Sequence, residues 1–302
     1  MTDDPRVAFR EDLLAAGLLV PTAVDGLYGR SRTFESIVAG IERLVDEASA
    51  DQNATWLRFP PVIPRSLFEK TGYLKSFPNL TGSIHTFMGG DKEHREILAK
   101  LDAGEDWSAD LAPAEVTLCS AACHPLFEQL TTPVPADGLH FDVLGWCFRH
   151  EPSLDPGRLQ AFRQREIVYA GVEAGAVAHR DLWAERAAAL MGGLGVEVEV
   201  VVANDPFFGR AGRFLANDQR DRVLKYEIVA ALGDPASPNA VASANCHEDH
   251  FGRDIGIQAG DGTVMHSACV GFGLERCTLA LLRAHGLDVG AWPQSLRERL
   301  GL

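Results

Sequence analysis

The run Cys147-Phe148-Arg149-His150-Glu151, the link Pro152-Ser153-Leu154-Asp155-Pro156-Gly157 and the run Arg158-Leu159-Gln160-Ala161-Phe162-Arg163-Gln164-Arg165-Glu166 decide the fold. Two apolar-flanked arms are joined by a link made mostly of turn formers, which predicts an antiparallel hairpin with a longer loop. In strands, alternate side chains share a face. Arg149 and Glu151 then share one, and Arg158, Phe162 and Glu166 share another. Unpaired charges are costly to bury, so these faces make a poor core. They make a good ligand surface. Guanidinium groups suit phosphate oxygens, the ring offers a plate for a base, and carboxylates accept from amino groups. Phe162 and Glu166 are separated by about 13 Å at strand rise, which leaves room for a nucleoside and a small substrate. The competing reading is a solvated hairpin with its charges in water.

A second stretch favours the ligand surface. His266-Ser267-Ala268-Cys269-Val270-Gly271-Phe272-Gly273-Leu274-Glu275-Arg276, continuing to Arg283, reads as strand, Gly-rich turn and apolar helix. Its glycines permit close backbone approach, and Arg276 lies at the helix start, where phosphate is favoured. Together the R-x-E hairpin and the G-x-G-x-E-R run resemble motifs 2 and 3 of class II aminoacyl-tRNA synthetases. Arg158 to Glu166 resembles the return arm of seryl-tRNA synthetases, and Phe59-Pro60-Pro61-Val62-Ile63-Pro64 through Phe77 resembles their motif 1 region. A long N-terminal helical hairpin for tRNA and a C-terminal anticodon module are not seen. Such a truncated core, with Cys123 and Cys269, is similar to the amino acid:[carrier protein] ligases, which resemble atypical archaeal seryl enzymes. The match covers roughly residues 26 to 285.

The resemblance implies an α+β fold: a class II synthetase-like antiparallel sheet flanked by helices, in a single catalytic domain over residues 1–302 with an N-terminal arm at 1–25. It implies ATP-dependent activation of a small amino acid, glycine or alanine, as aminoacyl-AMP. Transfer to the phosphopantetheine thiol of an acidic carrier protein follows. Arg149 is expected on the α-phosphate and Arg158 on the γ-phosphate of bent ATP. Phe162 and Arg276 would sandwich the adenine, Glu151 would read its amino group, and Leu159 would lie beside the nucleotide. Lys225 and Glu227 share a strand face and are expected to reach ATP, one at phosphate and one through Mg2+. Glu166, Ala242 and Ser243 are placed beside the amino acid. Val229 and Ala242 stand where seryl enzymes carry acids, which favours a smaller substrate side chain.

By the same resemblance, Cys123, Glu166 and Cys269, from three separate strands, bind Zn2+. Three protein ligands leave one tetrahedral corner open, as in catalytic zinc sites, and that corner would take the substrate amine. Cys119 is read as a buried thiol. Cys246, His247 and His250 also look like zinc ligands and form the alternative set, ranked below the first.

Composition agrees with an ordinary globule: 302 residues, 46% hydrophobic and 23% charged. The formal net charge of -14 disfavours a nucleic-acid partner, so no tRNA is expected. No run is long enough for a membrane helix, so no membrane partner is expected. Six cysteines without tight pairing fit a reducing cytoplasm. Near the N-terminus Leu13, Leu14, Leu18 and Leu19 suggest a helix or extended arm. Phe34, Ile37, Val38, Ile41, Leu44 and Val45 recur at helical spacing after Ser31, a fitting N-cap. In the resembling family this segment builds a homodimer interface. Residues 79–110 read as loops around a polar helix, 180–192 as a helix, and 196–202 as a strand. Arg210, Arg213, Arg220 and Arg222 offer a basic landing site for the carrier, against a solvated charged face. The rivals are a tRNA synthetase or editing relative, and a non-catalytic amino-acid sensor.

Overall fold

The structure, a computed structural model, describes residues 4–208, 216–217 and 219–302. In chain order the strands are β1 (Leu19–Pro21), β2 (Tyr28–Arg30), β3 (Thr55–Arg58), β4 (Val62–Pro64), β5 (Ser83–Thr86) and β6 (Ala112–Leu118). They continue with β7 (Leu139–Phe148), β8 (Ala161–Gly171), β9 (Glu199–Val202), β10 (Lys225–Ala230), β11 (Asn239–Glu248) and β12 (His266–Gly273). The predicted hairpin is β7 and β8, at the heart of a seven-stranded sheet of order β3-β7-β8-β12-β11-β10-β9. Every neighbouring pair is antiparallel except β3 with β7. A small sheet, β4-β6-β5, and the β1-β2 pair lie outside it. This is the expected antiparallel, helix-flanked α+β architecture.

One sheet face is closed by helices. The helix Arg32–Ser49 starts where Ser31 Oγ accepts from the Phe34 N–H at 3.2 Å, and its predicted apolar positions are all buried. Each such Ile, Leu or Phe contributes about 1.5–3 kcal/mol through burial. They meet Trp183 and Met191 of the helix Glu173–Gly193, Leu279 and Leu282 of the helix Leu274–His285, and Ile167, Val270 and Phe272 of the sheet. Strand alternation sends the intervening residues of β8, β11 and β12 to the opposite face, where the cavity described below opens. Phe9 and Leu13 of the helix Pro5–Ala15 join the helix-side core.

Several boundaries differ from expectation. The ladder ends at the pair Phe148 and Ala161, so Arg149, Glu151 and Arg158 belong to the connection rather than to strand faces. The Arg149 N–H still donates to Gln160 O at 2.9 Å, but Gln160 N–H donates to Gly26 O. Pro152 and Pro156 lack the N–H needed to extend the ladder. Gly26 has φ +78°, and a Cβ there would sit 3.1 Å from Arg158 O, so this crossing needs glycine. The helix expected from residue 180 begins at Glu173, because its small residues accommodate Tyr169: a Cβ on Gly175 would fall 2.1 Å from the Tyr169 hydroxyl oxygen. β9 starts at Glu199 because Val196 N–H instead closes the preceding helix on Met191 O. Among the described residues no helix is long and apolar enough to cross a membrane. All six cysteines are buried and free.

Candidate active site

A cavity of about 560 Å3 opens on the sheet face away from the helices. Strand register organises its floor in rows. Glu166 of β8 stands opposite Gly271 of β12, Gly271 opposite Ser243 of β11, and Ser243 opposite Glu227 of β10. The adjacent row carries Cys269, Asn245 and Lys225. Gly271 leaves bare backbone between Glu166 and Ser243. Phe162 and Gln164 lie on the same face of β8 as Glu166 and also line the cavity, as do Arg149, Glu151, Leu159 and Arg276.

Cys123, Glu166 and Cys269 are buried, and one donor atom from each lies within 4.8 Å of the others. Zinc bonds of about 2.3 Å to sulfur and 2.0–2.2 Å to carboxylate oxygen suit that spacing. Cys123 is not on a strand: it caps the short helical turn His124–Gln129, which Pro125 opens, and its N–H donates to Glu166 Oε2 at 2.9 Å. Burial, then the Cys269 charge, push the Glu166 carboxyl up to about 7. A hydrogen bond from the Cys123 thiol holds Cys269 well below the usual thiol range, and Cys123 is correspondingly raised by Cys269 and by burial. Three potential anions thus crowd one buried spot and share protons. A divalent cation is the group that lets all three ionise together, so the donor set fits a metal.

The alternative set does not come together. Cys246 packs with Tyr169, Ala176 and Ala268 in a separate cluster, and His250 Nε2 lies 2.9 Å from Thr71 O. His247 does face the metal cluster, with Nε2 3.4 Å from Cys269 Sγ.

Elsewhere in the cavity wall, the Arg149 guanidinium carbon lies 5.4 Å from the Phe162 ring centre, and Arg149 Nε and Nη2 are each 3.4 Å from Ser120 O. Arg276 donates to Gly157 O at 2.6 Å and Ala240 O at 3.1 Å, tying the hairpin loop to the sheet. Lys225, expected at phosphate, is held 2.6 Å from Asp205 and 2.9 Å from Glu227. Arg158 lies outside the cavity wall; its side chain is 52% exposed and pairs with Glu151 at 3.5 Å. Ala242 borders the cavity, but its methyl belongs to the helix-side core, because alternation in β11 turns it away from Ser243. Of the basic landing site, Arg210 and Arg213 lie outside the described residues, while Arg220 bonds Asn204 and Arg222 bonds Glu248.

Asp205, Asn245, Gln164 and Tyr73 line the cavity without having been singled out from the sequence. Asn245 and Gln164 follow from alternation about Ser243 and Glu166. Asp205, in the connection after β9, carries no local signal.

The chain is 41% identical over 300 residues to amino acid–[acyl-carrier-protein] ligase 1 of Bradyrhizobium diazoefficiens, covering 99% of this chain and 92% of that one. The chain belongs to the amino acid–[acyl-carrier-protein] ligase family. It is accordingly a ligase. Ligase 2 of the same organism is also 41% identical, over 96% of this chain and 87% of that one. A type-2 serine–tRNA ligase of Methanococcus maripaludis is 27% identical over 89% of this chain and 54% of its own length. No family model matches the chain. Among solved structures, M. kandleri seryl-tRNA synthetase, in complex with a tRNA, superposes with a TM-score of 0.82 at 22% identity. That match covers 97% of this chain and 60% of the synthetase, and shows that this chain has the class II synthetase-like fold.

Proposed function

We propose that this ligase activates glycine or alanine with ATP and passes the aminoacyl group to the phosphopantetheine thiol of a carrier protein. The observation that carries this reading is one cavity that combines the Cys123, Glu166 and Cys269 cluster with the Arg149, Phe162 and Arg276 group. The names of the two Bradyrhizobium relatives support the acceptor.

Cys123, Glu166 and Cys269 would hold Zn2+, which would supply a Lewis-acidic corner for a free amine. Glu166 and Ser243 flank the amino acid across the bare Gly271 backbone. A carboxylate oxygen attacks the α-phosphorus, the bond to the β-phosphate oxygen breaks, and pyrophosphate leaves. Arg149 stabilises charge on the α-phosphate as it reacts. Phe162 and Arg276 hold the adenine, with Glu151 and Leu159 at its edge. Glu227 would support Mg2+, and Lys225, paired with Asp205 and Glu227, keeps that carboxylate oriented. Arg158, exposed beside the cavity, swings to the γ-phosphate. In the second step the acceptor thiol sulfur attacks the acyl carbon, the anhydride C–O bond breaks, and AMP departs while the thiol proton passes to its phosphate.

The ligase also works as a homodimer. Supporting this, Trp56 on the edge strand β3 is 62% exposed, and an apolar cleft of about 320 Å3 lies between Pro61, Leu118, Trp146 and Phe148. The test of function is amino-acid-dependent ATP/pyrophosphate exchange over twenty amino acids, followed by acceptor assays with tRNA and with holo carrier protein. Exchange with glycine or alanine and loading of the carrier alone are expected. No exchange, or charging of tRNA, would overturn the reading.

A further inference from the structure

The wall beside the candidate metal cluster brings two side-chain nitrogens to a single sulfur. His247 Nε2 lies 3.4 Å from Cys269 Sγ, and Asn245 Nδ2 lies 3.6 Å from the same atom. Cys123 is fixed differently, through its backbone N–H on Glu166. The His247 ring is itself locked. Its Nδ1 is 3.0 Å from Ser267 Oγ, Ser267 is fully buried, and Phe127 and Phe251 meet the ring edge-on, at 88° and 83°. A ligating thiolate only accepts hydrogen bonds, so Nε2 carries the ring proton and Nδ1 accepts from the Ser267 hydroxyl. Neither nitrogen then has a free lone pair to offer a metal, although the ring stands against the site.

We propose that His247, held by Ser267, is a positioning residue for the metal: its Nε2–H fixes the Cys269 sulfur in the orientation for ligation and tempers its electron donation. The proposal rests on the reading of Cys123, Glu166 and Cys269 as ligands. Hydrogen-bonding partners of metal ligands commonly change affinity by about 10–100-fold when removed.

The test titrates the purified full chain with Zn2+ against a chromophoric chelator, and with Co2+ while recording the sulfur-to-cobalt charge-transfer band. Wild type is expected to bind both ions with thiolate charge transfer. His247→Ala, with every ligand intact, is expected to lose about 10–100-fold in Zn2+ affinity. Its band should move to longer wavelength, because the sulfur lone pairs lose a hydrogen-bond donor. His247→Gln, which can place an amide N–H near the same sulfur, should recover most of both. Ser267→Ala should shift both in the same direction by a smaller amount. If wild type takes up no metal, the ligand assignment fails, and this inference with it. If wild type binds metal while His247→Ala matches it in affinity and band position, only the role of His247 fails. Should His247→Ala not fold by near-ultraviolet circular dichroism, Gln and Ser267→Ala decide: a loss in Ser267→Ala with recovery in Gln supports the role, and a Ser267→Ala variant indistinguishable from wild type overturns it.

Discussion

Arg149→Met separates a ligand-binding arginine from a structural one. In the structure Arg149 Nε and Nη2 both approach Ser120 O, but at 3.4 Å, beyond the usual 2.7–3.2 Å of an N–H···O bond. A guanidinium has five N–H donors. Most of this fork is therefore uncommitted, and it lines the cavity beside Phe162. Charge-assisted hydrogen bonds contribute about 1.5–3 kcal/mol each. If two phosphate contacts strengthen as charge develops on the α-phosphate, and water replaces part of one, about 3–4 kcal/mol of transition-state stabilisation is lost. That is a fall of about 150- to 1,000-fold in amino-acid-dependent ATP/pyrophosphate exchange. Methionine preserves much of the stem volume, so folding should survive, as circular dichroism would check. Arg149→Lys keeps the charge without the fork and should fall between the two. A folded Arg149→Met enzyme exchanging within threefold of wild type would refute the assignment.

Three further outcomes are expected. Wild type should retain zinc after dialysis and Cys269→Ala should lose it, measured by elemental analysis; equal zinc in both proteins would discard the Cys123, Glu166 and Cys269 set. Arg165→Met should cost about 3–5 kcal/mol in urea unfolding, because Arg165 is 1% exposed and its removal strips the buried Asp142 carboxylate of its fork; a loss below about 1 kcal/mol would mean Arg58 alone satisfies Asp142. Burial lowers His179 from its ordinary 6.5 to about 4, so the unfolded chain binds the extra proton and stability falls as pH drops from 6.5 towards 4, at about 1.4 kcal/mol per unit. His179→Gln should flatten that part of the urea stability profile, and an unchanged acid slope would contradict it.

Legibility in the sequence followed locality. The hairpin was readable because turn formers sit between two runs whose pairing depends on neighbours in the chain. The shared face of Phe162 and Glu166 followed from strand period alone. The same rule failed for Arg149, Glu151 and Arg158, because proline and the contact with Gly26 end the ladder before the arms do. Cys123 and Cys269 meet only through the tertiary fold, and resemblance rather than spacing brought them together. Local clustering also misled: Cys246 and His247 are adjacent in sequence, yet alternation sends them to opposite faces of β11, and a register shift follows Cys246. Asp205 reaches Lys225 from a connecting segment, which no periodicity describes.

The hairpin carries arginines of two kinds, and the difference between them locates the site better than charge does. Arg163 gives its fork to Glu275 and Glu35, at 2.7–2.9 Å. Arg165 gives its own to Asp142, Asp46 and Glu42 O. Both point to the helix side, where saturated pairing is what makes a buried cation tolerable. Arg149, across the turn, faces the cavity over the Phe162 ring, and among the described residues its side-chain hydrogen bonds are two long ones to Ser120 O. A partly enclosed guanidinium with so few hydrogen bonds carries a desolvation cost that a bound anion offsets. The same logic holds at Cys123, Glu166 and Cys269, three buried acidic groups whose donor atoms lie within 4.8 Å of one another and which a divalent cation would let ionise together. Unmet positive and negative demand therefore coexist in one cavity, which is what a site built for a nucleotide phosphate beside a metal-held amine requires.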